Sequence, residues 1–504
     1  MPSFIRQVQP PLHFIPTAYS PLVMRVVHFF LPLLLKVRVR PWLPVGISRI
    51  EVENVDRLVD LYAQFESGES RFLMAVRHVE VDDPLSGLYL CSRAVNRAAK
   101  ARGIQLRQPV HTHFLYERGM TIWAGKALGW FLSRIGGTPI RRGRRPDWVG
   151  LKAARKLMVE GVMPMVVAPE GATNGHSERL GPLEPGVAQL GLWCAEDLQK
   201  AQRSERVFIV PIGIQYRYEQ PEWEKLAGLL SQLERQSGLT QKLSQVSVSQ
   251  ISGSLNDDFV KTTSLAPTPD KDCYLRILRL GEHLITVLEA FYQQFYPKVA
   301  LTKHNRDEKL SVLDGAAQTD SATDLDLDCA NRLTQLLDRA LQVAEQFFSL
   351  SGKGTLADRC RRIEEASWQA IYREDLSEIS MLSSLEKGLA DWAAQAASLR
   401  ALHMRIVESF VAVDDKYLKE KPSFERCAEV TLLMSDMLAR LTGGKKLPGR
   451  PRLGQRWVKM TVQAPIAITP HLNDYQKDRR SGRRVVAALT EQIRVALEGT
   501  IERN

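Results

Sequence analysis

Between Phe72 and Tyr218 the sequence alternates short apolar runs with longer stretches of helical periodicity, and this alternation leaves few folds open. Phe72–His78, Val110–Tyr116, Thr138–Arg141, Met163–Ala168 and Val207–Ile214 read as strands. Pro84 to about Arg102, Thr121 to Ile135, Asp147 to Glu160 and Pro185 to about Lys200 read as the helices between them. Asp147 places an acid at the start of its helix, and Gly161 stops it. Strands joined by helices of this length predict an α/β fold, a mixed sheet flanked by helices. Ligands of such sheets gather at the carboxyl ends of the strands.

The texture changes after Tyr218. From Pro221 to about Leu441 strand character is scarce and apolar residues recur at alternating spacings of four and three, the pattern of helix-bundle seams. Leu385, Leu389, Trp392, Ala396, Leu399, His403, Ile406 and Phe410 form one seam; Leu333, Leu337, Ala340, Ala344 and Phe347 form another; Val430, Met434, Met437 and Leu441 form a third. Loops are expected near 244–269, rich in Ser, Thr and Asp, and near 303–328, which is polar and Asp-rich. Beyond the Gly/Lys/Pro-rich stretch 443–451, Val458–Val462 alternates like a strand, Pro465–Ile468 follows, and Asp478 to Glu498 is helical. These boundaries divide the chain into an N-terminal amphipathic segment (1–45), an α/β domain (46–220), a large all-α insertion (221–450) and a C-terminal strand and helix (451–504) that complete the α/β domain.

The 504 residues carry a formal net charge of +11, which favours an anionic partner: a membrane surface, a phosphorylated substrate or nucleic acid. No base-stacking or groove-reading module accompanies the charge, so nucleic acid is not expected. Six cysteines are scattered singly, which fits a reducing compartment and neither a disulfide scaffold nor structural zinc. The first apolar run, Pro21 to Leu35, is interrupted by Arg25, His28 and Pro32 and falls short of the roughly 20 apolar residues a span needs. Phe29, Phe30 and Leu33 to Leu35, with Lys36, Arg38 and Arg40 directly after, suit either an interfacial segment or a buried amphipathic helix.

Four stretches carry chemistry. In the first, a strand ends at His78 and Asp83 follows five positions later, just before Pro84. An imidazole can take a hydroxyl proton near neutral pH while a carboxylate fixes its tautomer; equally, Asp83 is a good helix N-cap and His78 an ordinary strand-end residue. The second, Gly136-Gly137-Thr138-Pro139-Ile140-Arg141-Arg142-Gly143-Arg144-Arg145, joins glycines that permit close backbone approach to arginines with forked donors, or is a basic surface loop. The third, Pro169-Glu170-Gly171, puts an acid after a buried strand, where it can bond substrate hydroxyls, hold an arginine or cap a turn. The fourth, Val210-Pro211-Ile212, is an apolar strand whose interior proline usually marks an edge or bulge and which can only shape a pocket. His111 and His113 have no acid or thiol at ligand spacing and read as strand histidines with alternate facing, so no metal is expected.

In order and spacing these four resemble the motifs of the glycerolipid acyltransferase family, which includes glycerol-3-phosphate and 1-acylglycerol-3-phosphate acyltransferases. His78 and Asp83 match its His-x-x-x-x-Asp; Gly136 or Gly137 with Arg142 match its second motif, Pro169-Glu170-Gly171 its third and Val210-Pro211-Ile212 its fourth. The resemblance covers roughly 20–218 and 455–500. Arg77 stands where the family most often has Asn, and Ala172-Thr173-Asn174 replaces Thr-Arg-Ser, so the third motif's arginine is missing.

The resemblance implies that His78 and Asp83 are catalytic and that Arg142, Glu170, Gly171, Arg141 and Pro211 form the acceptor site. It implies transfer of a fatty acyl group from an acyl carrier protein or coenzyme A thioester to 1-acylglycerol-3-phosphate, giving phosphatidate. The co-substrate thioester then takes the place of any cofactor, and the work is done peripherally or monotopically at the cytoplasmic face of an anionic membrane. Acylation of another lipid hydroxyl, or a degenerate lipid-binding scaffold whose helical insertion recruits a protein partner, are the competing expectations.

Overall fold

The computed structural model describes residues 5–37, 46–121, 125–141, 147–239, 269–297, 299, 321–376, 379–408, 416–442 and 451–502. The chain divides into two compact units. The first gathers 11–220 with 446–504, and the second gathers 221–445 with residues 3–10.

The first unit is mixed α/β. Its elements are α1 (Pro21–Lys36), β1 (Ile47–Glu53), α2 (Asp56–Glu66), β2 (Ser70–Val76), α3 (Asp83–Tyr89), α4 (Asn96–Ala101), β3 (His113–Glu117), α5 (Lys126–Arg134), β4 (Gly137–Ile140), α6 (Trp148–Glu160), β5 (Met165–Val167), α7 (Gly186–Lys200), β6 (Arg206–Tyr218), β7 (Arg456–Val462), β8 (Ile466–Ala467), α8 (Leu472–Lys477) and α9 (Arg479–Glu498). The single helix expected over 84–102 is α3 and α4 joined through a π-helical turn, Leu90–Val95. β1 and α2 lie where the sequence suggested no element. The strand order is β1-β7-β6-β2-β5-β3-β4, with β8 also pairing β6. β6, β2, β5, β3 and β4 run parallel, and β7 lies antiparallel to β6 but parallel to β1.

The central strands are apolar on both sides because both faces of the sheet are covered. Phe72 and Met74 of β2, with Val210, Ile212, Ile214 and Tyr216 of β6, enter one core; Leu73, Ala75, Val207 and Ile209 enter the other with α6, α7 and α9. Pro211 departs from expectation by occupying a central strand. Its carbonyl accepts Gln463 N–H at 2.9 Å, so its backbone faces the β7/β8 side. There the neighbouring chain breaks between Val462 and Ile466, and a nitrogen without hydrogen costs no ladder bond.

α1 begins with Ser20 as N-cap and Pro21 in its first turn, and buries Met24, Val27, Leu31 and Leu35 at helical spacing. Pro32 brings no N–H to the carbonyl four residues earlier, His28 O; the Arg93 guanidinium donates to it instead, at 3.0 Å. The opposite side of α1 is also apolar and exposed: Leu22, Val26, Phe29, Phe30 and Leu33 all face out. The segment expected as one unit over 1–45 is therefore divided, since Val8 packs in the helical unit, its N–H on Asp391 at 2.8 Å.

α1 is anchored through Tyr19 and its own His28 on His111 and His113. His28 meets His111 edge-on with ring centroids 6.0 Å apart, and Tyr19 stacks on His111 at 6.3 Å. His111 and His113 bond the carbonyls of Ile135 and Gly136. Burial lowers the pKa of His28 to about 4, with Arg93 contributing, and that of His111 to about 3; His113 is lowered by the same cause. These folded-state values lie below the unfolded value near 6.5, so the unfolded chain protonates first as pH falls. Stability from these residues is full above about pH 6.5 and drains toward pH 3–4. His111 alone should cost about 2 kcal/mol of stability at pH 5. Denaturant midpoints at pH 7.5 and 5 check this: the wild-type loss should exceed that of His111→Gln, and equal losses would refute it.

The second unit is helical: Trp223–Ser237, Pro269–Phe295, Ser321–Phe347, Leu356–Ile371, Ser384–Glu408, Lys416–Glu420 and Phe424–Leu441. Residues 321–328, expected in a loop, open the third of these helices; 244–268 and 303–320 fall outside the described residues. Leu337, Ala340 and Ala344 are buried with Ile363, Met404 and Val407. The seam expected along 385–410 holds at His403 and Ile406, which are buried, and is turned around over 385–399; Phe410 lies outside the described residues. Ala390, Ala394 and Ala397 face inward, while Leu385, Leu389, Trp392 and Leu399 are exposed. Small residues let helices approach closely, and both faces of this helix carry the same periodicity. His403 is a packed histidine, bonded to Tyr292 Oη at 2.7 Å and lowered to about 4 by burial.

Candidate active site

The ladder between β2 and β6 ends one residue past the strand, where Arg77 N–H donates to Ile212 O. The chain then leaves the sheet at its carboxyl end as a loop, His78 to Asp82, and turns into α3. Asp82 holds the N-cap position and Asp83 sits in the first turn with Pro84. The Asp83 side chain folds back toward the loop. Its Oδ2 lies 2.9 Å from His78 Nδ1 and accepts Glu80 N–H at 3.0 Å. Its Oδ1 accepts the Tyr216 hydroxyl at 2.7 Å. A carboxylate only accepts, so Nδ1 donates and Nε2 keeps its lone pair. The His78 side chain is 27% exposed and that of Asp83 only 5%, so the imidazole meets solvent while its partner is enclosed. The N-cap alternative for Asp83 is replaced by this arrangement.

The loop is braced from β7. Arg456 reaches Asp82 Oδ2 at 3.0 Å and Glu80 Oε1 at 3.4 Å, and its guanidinium lies 4.7 Å from the Tyr216 ring centroid. Burial, with the charges of Asp82 and Asp83, raises the Tyr216 pKa well above the usual phenol range, so the hydroxyl stays a donor.

Within Pro169-Glu170-Gly171, to which the resemblance gives an acceptor contact, the Glu170 side chain is turned into the protein. The Glu170 side chain is 2% exposed. Oε1 accepts His78 N–H at 2.9 Å, and Oε2 accepts Asn174 Nδ2 at 2.6 Å and Gly181 N–H at 2.7 Å. Asn174 N–H in turn donates to His78 O at 3.2 Å, and Gly175 N–H to Val79 O at 2.9 Å. This segment therefore grips the backbone of His78 at both its N–H and its C=O. Gly171 adopts φ +74°, a left-handed conformation that a side chain would strain.

Beneath it lies Arg77, 1% exposed. Its Nη1 donates to Ser177 O at 2.8 Å and Ile214 O at 3.4 Å, and its Nη2 to His176 O at 3.1 Å and Arg179 O at 2.6 Å. Its Nε lies 3.9 Å from Glu170 Oε1. Sequence reasoning marked Arg77 only as a departure from a family pattern. The usable signal was a charge inside an apolar strand, which must be paired if the strand is buried. Tyr216 and Arg456 were missed as well, lying beyond the apolar run of β6 and at the very start of β7.

Of the remaining candidates, Arg141 stands apart from His78. Arg141 follows β4, three strands from β2, about 14 Å away at ordinary strand spacing. Its N–H donates to Asp147 Oδ2 at 2.8 Å. Arg142 lies outside the described residues, as do Gly143, Arg144 and Arg145. Pro211 pairs with Ala75 and contributes only apolar wall. Burial pushes the Cys91 thiol up to about 11 and that of Cys194 up to about 12, so neither is a ready thiolate. The arrangement is a partly exposed imidazole with an oriented tautomer at the carboxyl end of a parallel strand, a geometry from which an imidazole can accept a proton. Compared with known proteins, the chain matches no family model and no curated protein sequence.

Proposed function

We propose that the protein is a membrane-associated O-acyltransferase of the glycerolipid acyltransferase type, moving a fatty acyl group from a thioester to a lipid hydroxyl. The observation that carries this reading is the His78–Asp83 pair, 2.9 Å apart, with the imidazole partly exposed and the carboxylate enclosed at the carboxyl end of β2. His78 Nε2 takes the proton of the acceptor hydroxyl as its oxygen attacks the thioester carbonyl carbon. The C–S bond breaks, and the departing thiolate recovers that proton from the imidazolium, leaving an ester and a free thiol. A positioned base of this kind supplies roughly 10²–10⁴ in rate. No covalent acyl-enzyme is needed, which suits a protein whose Cys91 and Cys194 thiols are buried.

A lysophosphatidate acceptor follows from the resemblance. Acylation of another lipid hydroxyl is favoured by two observations: Glu170 spends both oxygens inside the protein, and Arg141 follows a strand three places from β2. A labelled acyl thioester, as carrier-protein and as coenzyme A form, offered with a panel of lipid acceptors separates the two. Transfer to lysophosphatidate supports phosphatidate synthesis, transfer only to other hydroxyls supports the second, and no transfer refutes both.

Membrane association rests on α1. Its exposed apolar side is flanked by exposed Arg25 and Lys36, and the helix has no acid. That pattern suits an interfacial helix on anionic lipid. No described helix is long and apolar enough to cross a membrane. Flotation with anionic vesicles should recover the wild type and lose Phe29→Glu with Phe30→Glu by at least about tenfold, since each buried aromatic contributes roughly 1.5–3 kcal/mol. Equal recovery would exclude α1 as the docking element.

A further inference from the structure

We propose that Tyr216 is a positioning residue that holds His78 in its productive tautomer through Asp83. The kinetic part of its test rests on the acyl-transfer reading; the spectroscopic part does not.

β6 runs for 13 residues against seven in β2, so its last turns of pleat overhang the end of β2. Val210, Ile212, Ile214 and Tyr216 project in one row into the same core. Tyr216, the last of that row, lies beyond the final pair with β2, Val76 with Ile212, and leans over the loop that carries the base. It is fixed on three sides. Its N–H donates to Ser177 Oγ at 3.2 Å, its ring lies under Arg456, and its strand pairs it with Val458. Little freedom remains for the hydroxyl, which points at Asp83 Oδ1.

The consequence falls on the carboxylate. With Tyr216 on Oδ1, and with Glu80 N–H and His78 Nδ1 on Oδ2, each oxygen of Asp83 has its own donors. Without the phenol, Oδ1 would be buried without this donor, and rotation of the carboxylate to recover one would draw Oδ2 away from Nδ1. The imidazole could then carry its proton on Nε2, the nitrogen that must be bare to accept a proton. Tyr216 removes that alternative. Other charged groups around the loop are Glu80 and Asp82, each paired with Arg456, and Arg77 and Glu170 beneath His78.

The test is Tyr216→Phe, which keeps the ring beneath Arg456. Protein labelled with ¹⁵N-histidine is compared with wild type at a pH where the imidazole is neutral, and His78 is assigned from a His78→Gln spectrum. Wild type should show His78 with a protonated Nδ1 and a bare Nε2; the variant should shift toward a mixture with protonated Nε2. In the acyl-transfer assay kcat should fall about tenfold with KM within about twofold, the size expected for one lost bond to a charged group. Adding Tyr216→Phe to Asp83→Asn should change nothing further. If the phenylalanine variant does not fold, 3,5-difluorotyrosine at 216 keeps both ring and hydroxyl; as a stronger donor it should move the His78 Nδ1 proton upfield. A folded variant with the wild-type histidine signature overturns the proposal, as does a further tenfold loss in the Asp83→Asn background. A shifted signature in a protein that acylates nothing supports the positioning role and rejects the acyl-transfer reading instead.

Discussion

His78→Ala protein is expected to keep its fold and lose acyl transfer by a factor on the order of 10³, within the range for a positioned general base. The fold survives because the imidazole is partly exposed and makes its ring hydrogen bond only to Asp83 among the described residues, while its backbone, gripped by Glu170 and Asn174, does not depend on the side chain. Asp83 keeps Tyr216 and Glu80 N–H as donors, so no buried charge is stranded. The loss should appear in kcat, since the base acts on a proton in flight and not on a bound group. Activity within about threefold of wild type would remove His78 from the chemistry, and a collapsed thermal transition would show that it was structural.

The largest effect on stability should come from Arg77→Met. Four carbonyls, of His176, Ser177, Arg179 and Ile214, converge on this one guanidinium, and Glu170 lies beside it. Methionine fills similar space but leaves those carbonyls without their donor and Glu170 without its adjacent cation. Removing one partner from a buried ionic contact costs about 3–5 kcal/mol. Lysine should recover only part, because an ammonium cannot fan donors to four acceptors. Denaturant unfolding of the α/β unit reads the change; a loss below about 1 kcal/mol would mean that the loop has other means of support. Because the same loop holds His78, the folded fraction of Arg77→Met should also transfer more slowly.

How much of this was legible in the sequence depends on how many faces of an element carry information. The parallel strands were visible because burial on both sides makes Phe72–Val76 and Val207–Ile214 continuous apolar runs. β1 was not, since Ile47-Ser48-Arg49-Ile50-Glu51-Val52-Glu53 buries only Ile47 and Ile50 and keeps no period of two. In 384–408 the periodicity announced a helix but could not say which face was inner: over 385–399 alanines pack inward and the large side chains face out. Pro211 misled because the rule about central strands counts a lost hydrogen bond, and here the partner chain is interrupted at that step. At the site, His78 and Asp83 were legible as a spacing, and their contact follows from a loop that turns sharply into α3. Glu170 was legible as important but not as inward-facing, since strand-end acids look alike whether they meet substrate or hold a backbone. Arg77, Tyr216 and Arg456 act through contacts across long stretches of chain, which no local pattern encodes.

The pairing of Ile212 with Val462, with all of 221–445 between them, has a bearing on biosynthesis. A ribosome releases β6 long before β7 exists, so one edge of the sheet's longest strand waits bare while the helical segment is made. Arg456 reaches Asp82 and Glu80 only once 221–445 has been made, and until then the loop carrying His78 lacks its clasp. The imidazole and its acid thus gain this support only after 221–445 has been made, and a nascent chain stopped before that point would carry both without the order that makes them a pair.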